Sequence, residues 1–370
     1  MDTYSKHVFK QVASSLLLIL ISLTLIVWMA TALKQLKLVT SQGQSFFIFL
    51  QMTTLALPSL MGFVAPIALL IACLHILNRV DGDSELIVMN AGGANIWRIA
   101  KPYLLLSMIV AVALLLSNLY LQPYSLRTLK EYVIKVRTDL ISQVLQPEKF
   151  SSPEKGLMFH IREKSPEGDL LGLVINDSRD EKQVMTYLAE RGRIVQNGEN
   201  AYLVMQQGHI QRKDGQKKTV QIIAFQQYIF DLTSFGPDTK NAKRNYKPRE
   251  RYLNELLNPA RNDPYYKRSP GKLRAEVHDR FVTPLYPLVF AILAVAMIGQ
   301  VRSTRQRSLN GVFLAFGLAI FVKVLGVASA NMIAKKAALV PVVYIIPIGA
   351  FLLAAFWMQS NAGLGRRKKQ

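Results

Sequence analysis

Cysteine is nearly absent from this sequence, since Cys73 is the single one among 370 residues. One thiol cannot form an intramolecular disulfide and cannot supply a cysteine zinc cluster. Cys73 lies inside an apolar run, where a cysteine usually serves as a small core residue. A disulfide framework and a cysteine-based metal site are therefore excluded as the basis of the fold.

The sequence also lacks the motifs of common enzymes. It contains no GxxxxGK[ST] phosphate loop, because Gly271-Lys272 has no upstream glycine at the required spacing and is followed by leucine. The five histidines show no HExxH spacing, and no GxSxG nucleophile motif occurs. We therefore predict no catalytic residue, no metal site, no cofactor and no ATP hydrolysis on this chain.

Acidic residues are few, with 24 Asp and Glu against 45 Lys and Arg, so the formal net charge is +21. Such a charge suits nucleic-acid binding only where it forms a basic stripe on a soluble face. However, 51% of the residues are hydrophobic, which is too apolar for an ordinary soluble protein. The composition favours a chain divided between lipid and water, and we predict no nucleic-acid partner.

Six apolar runs are long enough to cross a membrane. A hydrocarbon core about 30 Å thick needs about 20 mostly apolar helical residues, because a helix satisfies its own backbone hydrogen bonds. The first run is longer than the core of a cleavable signal and no small-residue cleavage site follows it, so we expect it to remain as an anchor. The predicted spans are residues 12–33, 46–77, 99–121, 281–301, 309–334 and 340–358.

The short connections between the spans predict their orientation, since loops rich in Lys and Arg stay in the cytoplasm. With the N-terminus inside, the cytoplasmic pieces carry twelve Lys and Arg and the short external pieces carry four. We therefore expect an inner-membrane protein with both termini in the cytoplasm and residues 122–280 outside. The predicted cytoplasmic cations are Lys6, Lys10, Arg79, Arg98, Lys101, Arg302, Arg305, Arg307, Arg366, Arg367, Lys368 and Lys369.

Within the external stretch, the period of the apolar residues changes from helical to two. Residues 157–161 alternate between apolar and polar, which indicates a strand with one buried face. Asn197-Gly198 and Asp214-Gly215 separate apolar runs, as in tight hairpin turns. We predict an inserted antiparallel all-β domain, a sandwich or partly open barrel, followed by a basic return connection to the fourth span.

Three lysines are candidate contacts of an anionic substrate. Lys323 lies well inside the fifth span, where a charge is costly unless it faces the bundle interior or a wet cavity. Either it meets an anionic substrate or a titrating group, or it is an interior lysine bound to carbonyls or to a partner subunit. Lys34 and Lys37 end the first span, where they either contact an acidic lipid cargo or snorkel to lipid phosphates.

Two prolines, Pro58 and Pro66, fall within the unusually long second run. Each proline removes a backbone donor and bends a helix. A bent span can lie along the lateral opening of a transporter, but proline is also common in ordinary membrane helices. The two prolines are candidate bend positions.

The connection between the second and third spans carries a short helical motif near residues 83–93. Its start has the residues of a helix N-terminus and a glycine pair ends it. The apolar side chains between them have no use in a solvated loop, so we interpret the motif as a docking helix for a cytoplasmic partner. The alternative is a helix that lies flat on the membrane surface. The candidate docking residues are Ser84, Glu85, Leu86, Met89 and Gly92.

At this motif the sequence resembles the LptF/LptG family, the permease subunits of the lipopolysaccharide export ABC transporter. Residues 84–93, S-E-L-I-V-M-N-A-G-G, are similar to the family's S-E-(hydrophobic)3-M-x-A-x-G coupling helix. Residues 273–280, L-R-A-E-V-H-D-R, precede the fourth span. The family has a Pro-Leu-x-x-Leu-Val-Phe pattern in this span, and residues 287–290 resemble part of it with some variation. The likeness covers the whole chain, including the order of three spans, an external domain and three further spans.

The resemblance implies a non-enzymatic permease with a periplasmic β-jelly roll, which extracts lipopolysaccharide from the inner membrane. The chain would divide into residues 1–121, with three spans and the coupling helix; 122–280, with the jelly roll and return connection; and 281–370, with three spans and a basic tail. Glu85 would be the coupling-helix acid that faces a basic residue of the ATPase. Lys34 would be one of the basic groups that face lipid A.

The partners that the resemblance implies are a dimer of the ATPase LptB, a second permease of the family, and LptC, whose jelly roll continues the path to LptA. The external half resembles LptF more than LptG, so the second permease would be LptG. The residues alone leave two other classes open. One is a secondary transporter that uses Lys323 as its titrating group, and the other is a membrane-anchored assembly or receptor protein.

Overall fold

The fold comes from a computed structural model, which describes residues 3–40, 46–93, 95–144, 147–154, 156–179, 183–197, 200–214, 220–231, 246–260, 263–299 and 309–367. The chain divides into two compact units. A helical unit comprises residues 1–37, 47–129 and 246–370, and a β unit comprises residues 38–46 and 130–245.

Six helices in the described part of the chain are long and apolar enough to cross a membrane, so the six predicted spans are confirmed. Their ranges are Thr3–Leu33, Leu57–Gly82, Ile96–Val133, Pro270–Ile298, Asn310–Lys335 and Ala337–Ser360. The helices are α1 (Thr3–Thr40), α2 (Phe46–Leu55), α3 (Leu57–Gly82), α4 (Glu85–Ala91), α5 (Ile96–Leu116), α6 (Gln122–Val144), α7 (Leu253–Leu257), α8 (Pro264–Arg268), α9 (Pro270–Val282), α10 (Tyr286–Ile298), α11 (Leu309–Lys335) and α12 (Val340–Arg367).

Helix α10 forms the centre of the helical unit. All of its residues except Leu288 are buried, and it packs against α3, α5, α11 and α12. The outward faces of the first and last spans instead expose leucines such as Leu18 and Leu353. Lipid tails solvate such side chains as well as a protein interior does, so close packing around α10 is what holds the spans together.

The second span is shorter than the predicted run of residues 46–77. The chain forms α2, makes a turn at Ala56, and begins a new helix, α3, that continues to Gly82. Pro58 stands in the first turn of α3, where a proline needs no backbone donor. Pro66 lies inside α3. Pro58 therefore lies at the start of α3, and the break between α2 and α3 falls before it, at Ala56.

The third span is longer than predicted, because the helix does not end at Leu121. A π-helical segment, Ser117–Leu121, joins α5 to α6. The backbone N–H of Gln122 donates to the carbonyl of Ser117, five residues earlier, in the pattern of a π-bulge. Pro123 follows directly and cannot donate. The predicted boundary at residue 122 thus falls inside a continuous helix, whereas the two units separate near residue 130.

The return connection also differs from the predicted division. Residues 246–280, which the sequence assigns to the external domain, pack with the helical unit. A 3₁₀ turn at Pro248–Glu250, then α7 and α8, lead into α9. The fourth span begins at Pro270 instead of residue 281, and a 3₁₀ turn at Thr283–Leu285 separates α9 from α10.

The β unit contains one antiparallel sheet of six described strands, so the predicted all-β insertion is confirmed. Every strand pairs with its neighbours in sequence, which makes the sheet a meander. A jelly roll has connections that cross between two sheets, and the described strands do not show that order. The strands are β1 (Phe150–Glu154), β2 (Leu157–Lys164), β3 (Leu170–Asp177), β4 (Gln183–Asn197), β5 (Asn200–Asp214) and β6 (Val220–Asp231).

The register of the paired strands shows where the two predicted hairpins fall. Asn197 pairs with Asn200, so a tight β4–β5 hairpin is present, while Gly198 lies outside the described residues. Lys213 pairs with Val220 across β5 and β6. The connection after Asp214 is therefore longer than a two-residue turn, and Gly215 lies outside the described residues.

One face of the sheet forms a compact core. Leu157, Phe159 and Ile161 are each at most 2% exposed, which confirms the period-two prediction for β2. Phe159 meets Phe230 edge to face, with 6.2 Å between the ring centroids. The ring of Tyr187 also meets Phe230 edge to face, with 5.3 Å between the ring centroids. Aromatic side chains from three strands thus fill the interior of this unit.

Truncation of Phe159 tests this core. The Phe159→Ala change should destabilise the β unit by about 3–5 kcal/mol, because it removes a buried ring and leaves a cavity. The neighbouring Met158→Ala change is the matched control, since Met158 lies on the other face and is 42% exposed. Limited proteolysis of the full chain should show faster cleavage of the β unit for Phe159→Ala alone. Equal cleavage of both variants would contradict the assigned core.

Candidate functional site

Helix α4 connects α3 to α5 within the helical unit. Ser84 precedes the helix with φ of 61°, a left-handed conformation that is uncommon for serine. The Ser84 carbonyl accepts hydrogen bonds from the backbone N–H groups of Ile87 and Val88 at 3.1 and 3.2 Å. This reversal sets the direction of α4 relative to α3.

Glycines end α4. The N–H of Gly92 donates to the carbonyl of Val88 at 3.0 Å, and Gly93 follows with φ of +74°. A residue without Cβ adopts this conformation at low cost. Asn95 then caps α5 by accepting a hydrogen bond from the Trp97 N–H. The predicted start and end of the helix are therefore both present.

The side chains of α4 divide into an anchored face and an open face. Leu86 is completely buried and Met89 packs partly buried against the core of the helical unit. Glu85 and Val88 are exposed, and Ile87 is 39% exposed. The prediction that Leu86 belongs to an exposed docking surface is wrong, because its side chain enters the core. Leu86 instead fixes the helix to the bundle, and Glu85, Ile87 and Val88 form the open face.

A cavity of about 520 Å³ lies among α3, α10 and α11. Its walls are apolar and include Phe63, Ile67 and Phe316. Lys323 of α11 is the charged side chain among the described residues that line it. Pro66 belongs to α3 beside this wall, between Phe63 and Ile67.

The ammonium group of Lys323 is placed over an aromatic ring. Its Nζ lies 3.9 Å from the centroid of the Tyr286 ring, and Tyr286 is only 2% exposed. Such a cation–π contact stabilises a desolvated cation by about 2 kcal/mol. Lys323 is therefore an interior lysine with an aromatic partner at the wall of an apolar cavity.

Gly326 makes room for this arrangement. A Cβ built at Gly326 would overlap the Tyr286 hydroxyl group. The ring of Tyr286 therefore lies directly against the backbone of α11, one turn beyond Lys323. A side chain at residue 326 would displace the ring from beneath the ammonium group.

The lysines predicted at the end of the first span cannot be placed in the same way. Lys34 and Lys37 belong to α1, but their side chains lie outside the described part of the structure. Of the three candidate lysines, Lys323 is the one whose side chain the structure describes, and it lines the cavity. Among the described residues, no group of three or more His, Cys, Asp or Glu side chains could hold a metal ion.

Comparison with known proteins adds to this geometry. The family model described as lipopolysaccharide export system permease LptF/LptG matches residues 6–360. The chain belongs to the LptF/LptG family. An uncharacterized protein of Rickettsia prowazekii (strain Madrid E) is similar to this permease, with 25% identity over 334 residues that cover 90% of this chain and 92% of that protein. The match does not separate LptF from LptG, so the assignment to LptF stays a prediction.

The permease also contains an arginine cluster that the sequence analysis missed. Arg280 is buried and donates from Nε to Glu276 at 3.2 Å. Its Nη2 donates to the carbonyls of Pro248, Arg249 and Arg251, the last at 2.7 Å. One guanidinium of α9 thus satisfies several carbonyls of the return connection. A signal was present, since Glu276 and Arg280 stand four residues apart on one helix.

A second arginine, on the third span, also binds the return connection. Arg127 donates from Nε to the Glu250 carbonyl at 2.6 Å and pairs with the Glu255 carboxylate. Its guanidinium lies 4.3 Å and 4.4 Å from the ring centroids of Tyr246 and Tyr252. We call Arg127 and Arg280 the arginine clasp. The clasp ties the end of the third span to the start of the fourth.

A third arginine closes the connection on itself. Arg251 pairs with the Asp263 carboxylate and donates to the Tyr246 carbonyl at 2.9 Å. The hydrogen bond from Arg251 holds the pKa of Asp263 below its usual range. Ionised Asp263 also caps α8 by accepting from the Tyr265 N–H at 2.8 Å.

Gly326→Ala tests the packing of Tyr286. The added methyl group should destabilise the permease by about 1–3 kcal/mol, because the ring of Tyr286 must move. Gly317→Ala on the same helix is the control, since a Cβ there meets nothing within 4 Å. That control should be neutral or stabilise by about 0.5–1 kcal/mol. Thermal unfolding in detergent distinguishes the two, and equal shifts would contradict the close contact.

Arg280→Ala tests the arginine clasp. Removing one partner of a buried pair should cost about 3–5 kcal/mol, since Glu276 is left buried without compensation. Arg249→Ala is the control, because Arg249 also faces Glu276, at 3.8 Å, but has a 68% exposed side chain. It should cost at most about 1 kcal/mol. Similar losses in thermal stability for both variants would show that burial of Arg280 does not matter.

Proposed function

We propose that this chain is a permease subunit of an ABC transporter that extracts lipopolysaccharide from the inner membrane and passes it to a periplasmic bridge toward the outer membrane. The observation that carries the proposal is α4, a short helix anchored in the bundle with Glu85 exposed, in a chain of the lipopolysaccharide export permease family. ATP would be hydrolysed by partner chains.

The distribution of basic residues supports an inner-membrane location with both termini in the cytoplasm. In this orientation α4 faces the cytoplasm and the β unit is periplasmic. The cytoplasmic loop cations Arg302, Arg305 and Arg307, and the tail residues Lys368 and Lys369, lie outside the described residues. Lys6, Lys10 and Lys101 lie at the same end of the bundle as α4 and are exposed.

In this proposal α4 transmits the motion of the ATPase to the spans. A dimer of LptB would contact the exposed face of α4, with Glu85 opposite a basic residue. Because Leu86 is buried in the helical unit and α4 packs against α3, force applied to Glu85 would be carried into α3. A short surface helix with no buried side chain would instead move without displacing the spans.

The cavity beside Lys323 would hold part of the cargo. Its apolar walls suit acyl chains, and one interior cation suits an anionic group of lipopolysaccharide. A second permease of the family would complete the chamber, which is LptG if this chain is LptF. Lys34 and Lys37 would contact cargo at the external end of the first span.

The β unit would begin the periplasmic path. Its inner face is apolar and can shield acyl chains. Among the described strands, β1 and β6 form the edges of the sheet, and the exposed Ile222 and Ile223 lie on β6. A strand of another chain can extend such an edge by backbone hydrogen bonds, which supports LptC, and LptA through it, as partners.

Charge reversal at Glu85 tests the proposal. Glu85→Arg should reduce recovery of the ATPase with the permease, or cargo release by the recovered complex, at least tenfold, since a favourable charge pair becomes a repulsive one. Glu190→Arg is the matched control, because Glu190 is also exposed but lies on β4. Co-purification and lipopolysaccharide release from membrane vesicles provide the two measurements.

Two outcomes would contradict the proposal. Normal assembly and release by Glu85→Arg would remove the coupling role of α4. Transport by this chain without any ATPase would instead favour a secondary transporter with Lys323 as its titrating group.

A further inference from the structure

The ring of Tyr286 compensates the charge of Lys323 only in part. Lys323 is half-buried on α11, inside the span Asn310–Lys335, and the cavity wall around it is apolar. A cation in such a place needs an opposite charge, because burial removes its hydration. Among the described residues, Lys323 forms no ion pair of 4 Å or less. A carboxylate that balances it in this part of the chain therefore acts from a longer distance.

Asp279 of α9 is a carboxylate whose charge reaches this lysine. It acts electrostatically on Lys323, on the phenol of Tyr286 and on the neighbouring Arg280. Asp279 is itself only partly exposed and lies inside the span Pro270–Ile298. An acid and a base within two adjacent spans attract each other more strongly than they would in water, since the surrounding medium screens them less.

A local hydrogen bond directs the Asp279 carboxylate toward Tyr286. The hydroxyl of Thr283 donates to Oδ1 of Asp279 at 3.4 Å. Thr283 stands four residues after Asp279, and Tyr286 stands three residues after Thr283. Side chains three and four residues apart lie on one face of a helix. The carboxylate therefore lies on the face that leads to Tyr286 and to the ammonium group above its ring.

Close packing of the fourth and fifth spans fixes the relative position of the two charges. A Cβ built at Gly271 would overlap the Ala334 carbonyl, so the start of α9 touches the end of α11. The second close contact is the one between Gly326 and the Tyr286 hydroxyl. Asp279 lies between Gly271 and Tyr286 in the chain, and Lys323 lies one turn from Gly326. With both contacts in place, α11 cannot slide along α9 to separate the charges.

The other charged side chains of α9 near Asp279 already have close partners. Glu276 pairs with Arg280 at 3.2 Å and with Arg249 at 3.8 Å. Arg280 also donates to the carbonyls of the return connection. Asp279, in contrast, forms no ion pair of 4 Å or less with another described residue. Asp279 and Lys323 therefore remain as complementary charges, one on each of two packed helices.

We propose that Asp279 is the counter-charge of Lys323 in the empty cavity and limits how firmly the cavity holds an anionic amphiphile. Asp279 is a positioning residue, because it is not part of the cavity lining and acts through Lys323. An anionic group that enters the cavity competes with Asp279 for the ammonium group, so its binding is weakened and its release is favoured. This inference rests on the proposed function and adds to it a residue that promotes cargo release.

Thermal unfolding of the cargo-free transporter in detergent tests the charge pair. Asp279→Asn and Lys323→Gln should each lower the midpoint by about 2–4 °C, because each leaves a partly buried charge unbalanced. The double variant should lose clearly less than the sum of the two, since it removes both charges. Asp231→Asn is the matched control, as Asp231 is exposed at the end of β6. Its effect should simply add to that of Lys323→Gln.

Transport by the complete transporter with its ATPase, in proteoliposomes with graded densities of lipopolysaccharide, tests the effect on cargo. Asp279→Asn should lower the half-saturating density about fivefold, because a competitor of the cargo is removed. It should also lower the maximal rate, since cargo held more firmly is released more slowly. In the Lys323→Gln background, Asp279→Asn should change neither quantity, because Asp279 acts through Lys323.

Additive thermal shifts for Asp279→Asn and Lys323→Gln would overturn the inference, whatever the transport assay shows. A lower maximal rate of Asp279→Asn with an unchanged half-saturating density would also overturn it, since the role of Asp279 would then be structural. The same holds if Asp279→Asn keeps its effect in the Lys323→Gln background. Failure of the wild-type transporter to move lipopolysaccharide would overturn the proposed function, while the thermal measurements would still decide whether the two residues form a charge pair.

Discussion

The close packing of the other spans around α10 is the constraint on which the rest of the structure depends. Lipid offers no strong drive to bury apolar side chains, so the helices must fit each other by shape. Alanines at 291, 294 and 296 keep α10 narrow, and Gly326 lets the ring of Tyr286 touch the backbone of α11. This contact also places Tyr286 under Lys323, which determines where the cavity has its charge.

The sequence was sufficient to predict the six spans, because a long apolar helix is required wherever the chain crosses lipid. It also predicted the buried face of β2, since Leu157, Phe159 and Ile161 alternate with polar neighbours. It could not predict the turn at Ala56 or the π-helical segment after Leu116. Both features depend on which backbone groups form hydrogen bonds locally, and the hydropathy of the residues does not indicate this.

The candidate site was predicted less completely than the fold. The ends of α4 follow from serine, glutamate and glycine at fixed offsets, but the burial of Leu86 depends on its contacts with other helices. The arginine clasp joins Arg127 to Glu250 and Glu255, more than 120 residues later in the chain. No local pattern reports such a pairing. The order of the strands in the sheet was likewise not predictable, because the alternation of apolar and polar residues identifies a strand but not the strands that pair with it.

Under the proposed function, these features act at successive levels of the membrane. Helix α4 would receive motion at one surface, and the cavity beside Lys323 lies within the bundle. The arginine clasp would hold the third and fourth spans together at the other surface. The clasp would matter for coupling, because spans that are held together at one surface can move as a unit when α4 is displaced at the other.

The most direct test of this account is photocrosslinking of cargo in cells. A photoreactive amino acid at Val327, which is 50% exposed and lines the cavity, should form adducts with lipopolysaccharide. The same amino acid at Leu353, which is 71% exposed on the last span and does not line the cavity, should not. Absence of lipopolysaccharide adducts at Val327, or equal adducts at both positions, would contradict the claim that cargo passes through this cavity.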